Sequence, residues 1–84
     1  MPYIKKSDRE RLAAGGEPES AGELNYTITK TLDGYLGRKG LNYSTLNEII
    51  GVLECAKIEL YRRIAADYED GKIAANGDVY SRVP

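Results

Sequence analysis

One run of residues governs what this chain can become. Between 45 and 68, Leu46, Ile49, Ile50, Leu53, Ala56, Leu60, Ile64 and Tyr68 recur at three- and four-residue spacing. Glu48, Lys57, Glu59, Arg62 and Asp67 fall mostly outside that stripe. The pattern predicts a helix over 45–68, capped by Ser44. At ~1.5 Å per residue such a helix is about 37 Å long, while a compact 84-residue domain has a radius of gyration of ~12 Å. The remaining segments are too short to cover it, and Val52 and Ile58 lie off the main stripe and need a second surface. Only 18 Leu, Ile and Val and seven Tyr are on hand, with no Phe or Trp. A chain this small buries only ~60% of its unfolded surface, so its stability is marginal without reinforcement. The expectation is an all-α single domain whose copies associate through this helix as a homo-oligomeric bundle.

The flanking segments support an all-helical reading. Residues 1–6 are expected to form an extended arm. Ser7 and Glu10 form a capping box for a short helix over 8–14, stopped by Gly15-Gly16. A second box, Ser20 to Glu23, opens a helix over 21–36 with Leu24, Ile28, Leu32, Tyr35 and Leu36 on one face. Thr27, Thr29 and Thr31 alternate with Tyr26, Ile28 and Lys30, so a strand over 25–32 stays open as the alternative. Gly37 and Gly40 bracket Arg38-Lys39 in a turn. Over 72–84 a turn and tail are expected. Asn76-Gly77 suits a hairpin, but strands so short cannot stand alone, which favours a helical stop.

Composition removes most chemistry. The chain has no His and one Cys, which excludes a His-containing triad, a His–Cys zinc site, a CxxC pair and an internal disulfide. Twelve Lys and Arg against 13 Asp and Glu, with a pI of 5.4, argue against general nucleic-acid binding. No apolar run approaches the ~20 residues that span a bilayer, and the charged start is unlike a signal peptide, so a cytoplasmic protein is expected. Glu48 and Glu54 lie about 240° apart on a helix and cannot share acid–base work. Cys55, with no His or Lys arranged to activate it, reads as a buried packing thiol. No metal, cofactor or catalytic residue is expected.

Two features point to binding instead. Gly51, in mid-helix, costs about 1 kcal/mol relative to Ala, so something should offset it. It shares a seam with Asn47, Glu54 and Ile58; with Ile50, Leu53 and Tyr61 these are the expected oligomer-interface residues. A helix crossing inside one subunit is the alternative reading of that seam. Separately, basic pairs lie near tyrosines, and Asn precedes two tyrosines. A guanidinium with a tyrosine ring can hold a phosphate and a base by bidentate bonding and stacking. Tyr3, Lys6, Asn25, Tyr26, Asn42, Tyr43, Arg62 and Arg63 are therefore the candidate ligand-binding residues. As a plainer reading, such basic pairs serve solubility.

The segments GELNYTIT (22–29), LNYSTLNEIIGVLECAKIELYRR (41–63), YED (68–70) and NGDVY (76–80), after the opening PYIKKSDRERL, resemble a family of short uncharacterised proteins of phages and phage-like genomic regions. Matching positions include Asn25, Tyr26, Asn42, Tyr43, Ser44, Asn47, Glu48, Glu54, Arg62, Arg63, Tyr68, Asp78 and Tyr80. The resemblance implies a phage-type source and host-cell cytoplasm, but no mechanism. By analogy with other small phage proteins it implies stoichiometric binding. A small anionic molecule held between subunits, such as a nucleotide signal of host defence, is the first expectation. An inhibitor or assembly factor acting on a host or virion protein is the second.

Overall fold

The computed structural model describes residues 1–82, and every regular element among them is helical: α1 (Lys6–Ala13), α2 (Ala21–Lys39), α3 (Tyr43–Leu60), a π turn (Tyr61–Ala65) and α4 (Ala66–Asn76). The chain divides into two units, Met1–Asn47 and the residues from Glu48 onward.

In the first unit, α1 packs on α2. The arm ends one residue earlier than expected, because α1 starts at Lys6 behind an extended Lys5. No side chain caps this start, so the Ser7–Glu10 box is not used. Arg9 fixes the entry instead. Its Nε donates to the Ile4 carbonyl at 2.9 Å, and its guanidinium lies 5.7 Å from the Tyr26 ring centre. Helix α1 closes just before Gly15, whose φ of +99° suits glycine. Gly16 then passes so near α1 that a Cβ there would stand 2.8 Å from the Arg11 carbonyl oxygen.

Ser20 caps α2 as its sequence predicts, accepting the Glu23 N–H at 3.2 Å. The Glu23 carboxylate does not return to Ser20. It accepts the Glu19 N–H at 3.1 Å and pairs with the Arg11 guanidinium, which also donates to the Glu17 carbonyl at 2.9 Å. Arg11 thus ties α1 to both the connecting loop and α2. The strand alternative for 25–32 fails here. Thr27 and Thr31 return their hydroxyls to the carbonyls of Glu23 and Thr27, each at 3.0 Å, which satisfies them within a helix. Helix α2 also outlasts its expected end at Leu36. Gly37 keeps a helical conformation, and Gly40, with φ +97°, supplies the stop after Arg38 and Lys39 have met the negative helix end.

Helix α3 begins at Tyr43, and its cap is Asn42, whose Oδ1 accepts the Thr45 N–H at 2.9 Å. Ser44, the expected cap, is already inside the helix. From there 34 consecutive residues, 43–76, are helical, about 51 Å of helix. The expected end at Tyr68 and separate turn at 72 give way to one helix that runs through Gly71 and stops at Gly77, φ +90°, whose N–H reaches the Ile73 carbonyl at 2.8 Å. Asp78 then accepts the Tyr80 N–H at 2.9 Å, starting the tail. Residues 83–84 of that expected tail lie outside the described residues.

The π turn matters for the stripe. An extra residue in one turn sets the helix back by about 100°. In a regular helix, Leu60, Ile64 and Tyr68 would advance about 40° at each four-residue step; the set-back keeps Ile64 and Tyr68 on the same side as Ile49, Leu53 and Leu60.

Candidate functional site

In a single copy, the apolar stripe of the long helix faces solvent. Among the described residues no hydrophobic side chain is buried, and Thr45 alone, at 4% exposure, is. Leu60, Ile64 and Tyr68 on the stripe are 62–66% exposed, as is Ile50 beside it. Cys55 is exposed too, so the buried-thiol expectation does not hold for one chain. Around Gly51 nothing comes within 4 Å of where a Cβ would stand. Of the expected interface residues, Ile50, Leu53, Ile58 and Tyr61 are exposed large apolar groups, and Asn47 and Glu54 are exposed as well.

A second side of the same helix carries Ile50, Ile58, Tyr61 and Ile73. Lys57, Ile58, Tyr61, Arg62 and Ala66 line an open, mostly apolar groove of about 580 Å³ there. The neighbouring Glu69 carboxylate, by hydrogen bonding and by its negative charge, pushes the Tyr61 phenol above its ordinary range. These residues are eight apart, and the π turn brings them into line. No sequence signal marks that turn, and the Glu69 partnership could not be read beforehand.

The candidate ligand residues are divided between the two units. In the first unit, Tyr26 lines an open groove of about 310 Å³ with Leu12, Ala13, Thr27, Lys30 and Thr31, while Tyr3 and Tyr43 are 74% and 84% exposed. Lys6 is exposed. Asn25 accepts the Thr29 hydroxyl at 3.3 Å, and Asn42 is occupied as the α3 cap. In the second unit, Arg62 meets both Glu59 carboxylate oxygens at 3.1 Å, and Arg63 reaches the same group at 3.8 Å. Two guanidinium groups on one carboxylate leave one positive charge over. Exposed pairs of this kind are worth ~0–1 kcal/mol, little enough for an arriving phosphate to displace.

The strongest electrostatic feature, missed by spacing arguments, is the Arg11–Glu23 pair. The Glu19 N–H and the Arg11 guanidinium hold the Glu23 carboxyl below its ordinary range. A depressed carboxyl stabilises the fold above its unfolded pKa, about 4.3, and that contribution is lost as pH falls through the lower folded value. No group of three or more His, Cys, Asp or Glu among the described residues is placed to hold a metal, and no helix among them is long and apolar enough to cross a membrane.

Together these features define a small all-helical protein that displays, rather than buries, its apolar side chains. The chain belongs to the DUF6899 family, a domain of unknown function, which it matches over residues 1–79. No curated protein matches it, and no solved structure does.

Proposed function

We propose that this chain is a non-enzymatic, phage-type binding protein that works as a homo-oligomer joined along helix 43–76. It holds a small anionic ligand, of which a nucleotide is the best-fitting class, in pockets between subunits. The observation that carries the reading is the uncovered surface. No hydrophobic side chain among the described residues is buried, and Leu60, Ile64 and Tyr68 on the apolar face of the long helix are 62–66% exposed. Other copies are the simplest cover. The ligand half of the reading is supported by Tyr3, Tyr43, Arg62 and Arg63: rings and guanidinium groups that face solvent, which a second chain could close into a pocket. With no His and a single Cys, the chain has few groups for turnover.

Thermal unfolding against a panel of linear and cyclic nucleotides tests the ligand. A true ligand at a hundredfold excess over Kd adds ~2.7 kcal/mol and raises Tm by about 10 °C or more. The double variant Arg62→Ala/Arg63→Ala should lose that rise. No shift with any nucleotide removes the ligand and leaves the assembly. Val79 and Tyr80, at 91% and 74% exposure in the tail, favour the second reading, an inhibitor or assembly factor gripping a host or virion protein. Specific co-purification of one such protein, lost on Tyr80→Ser, would favour it.

A further inference from the structure

We propose that α1 is a releasable latch: Arg11 locks it onto α2 through Glu23, and loss of that pair frees α1 while α2 and helix 43–76 stay formed. This goes beyond the binding reading above and does not depend on it.

The apolar face of α2 would be the natural seat for α1, yet its Leu24 and Ile28 are 51% and 43% exposed. Helix α1 lies instead along the row Glu23, Tyr26, Thr27, Lys30 and Thr31, which shares one side of α2 and holds a single large apolar group, the Tyr26 ring. Leu12 and Ala13 of α1 line the open groove beside that row. No residue of either helix is buried. Little apolar surface therefore holds α1 in place, and polar contacts carry the rest.

Those contacts converge on one side chain. Arg11 pairs with the Glu23 carboxylate, donates to the Glu17 carbonyl at 2.9 Å and stands 3.7 Å from the Glu19 carboxylate. The Glu23 side chain is only 13% exposed and also accepts the Glu19 N–H at 3.1 Å. A guanidinium serves several acceptors at once, so one residue joins α1, the loop and α2. The other charges that bear on the pair are Glu19 in the loop and Asp8 in α1, both acting on Arg11. Arg9, the second tie, rests on the Tyr26 ring. Removing Arg11 leaves the Glu23 carboxylate covered and without its cation, which costs more than the pair contributes. Once undocked, α1 cannot hold itself, because its eight residues fall short of the ~12–15 that even a marginal isolated helix needs. Release thus melts α1 and bares the Tyr26 ring. Helix α2 keeps its Ser20 cap, which uses the Glu23 N–H and not its carboxylate. All of these contacts lie within the first unit, Met1–Asn47.

Amide hydrogen exchange of the full chain, read residue by residue by NMR, tests this with Arg11→Met beside the parent. The α1 amides should be protected in the parent and exchange at least about tenfold faster in the variant, while α2 beyond its first turn and helix 43–76 keep the parent's rates. Glu23→Gln weakens the pair from the other side and gives the same reading should Arg11→Met fail to fold. Unprotected α1 amides in the parent, or α1 rates unchanged by the substitution, would overturn the latch. Loss of protection from α1 and α2 together would overturn it too, because the pair would then support the whole unit and not α1 alone.

Discussion

Leu60→Asp is expected to dissolve the assembly and take most of the helical signal with it. In one copy Leu60 is 62% exposed, and on a true surface such a change costs within about 0.5 kcal/mol. If Leu60 is covered by another chain, the loss is that of a core position. Removing a buried Leu costs ~2–5 kcal/mol, and an unpaired carboxylate in its place adds to that. A protein of this size has a margin of ~5–15 kcal/mol at best, and an assembly of identical chains suffers the loss once per chain. Gel filtration should show the particle breaking up. Circular dichroism at 222 nm should fall with it, because a helix with no covered face is held by propensity alone. Wild-type mass and helicity in this variant would mean that Leu60 faces water in the working protein.

Gly51→Ala separates the same alternatives by the sign of its effect. Nothing stands within 4 Å of the added Cβ in one copy, so a lone helix should gain about 1 kcal/mol from the better helix former. Where a neighbouring chain packs closely at that point, the methyl group instead overfills the contact, typically at a cost of ~1–3 kcal/mol. The expected result is a lower melting temperature, with the drop shrinking under dilution as the particle comes apart. A higher melting temperature at every concentration would place Gly51 in open solvent.

The helical character of this chain was legible because its signals are local. Leu46 to Tyr68 announce a face by spacing, Ser20 announces a cap, and Gly77 a stop; each depends on a few neighbours. Boundaries slipped where two local signals competed. Ser44 and Asn42 can both cap, and Asn42 does. Gly37 and Gly71 are breakers by propensity, yet a helix already running passes through them, since extending it costs less than starting another. The Ser7–Glu10 box lost to Arg9, whose guanidinium fixes the Ile4 carbonyl from farther along the chain.

The candidate site was legible only in part. Residue types suited to an anion were visible, and i,i+4 spacing pairs Glu59 with Arg63, but it does not say that Arg62 joins the same carboxylate, or that Asn42 is spent on a helix end. Nor does any residue pattern declare the π turn that aligns Tyr61 with Glu69 and keeps Ile64 and Tyr68 on the apolar stripe. Those features arise from packing and from the phase of a long helix, which local propensity does not encode.

Sedimentation velocity of the unmodified protein, diluted through the low micromolar range while its helicity is followed, tests the central claim most directly. A single multi-chain species should persist and then dissociate together with loss of helical signal. A sharp single-chain boundary with full helicity and a cooperative, concentration-independent melt would contradict it.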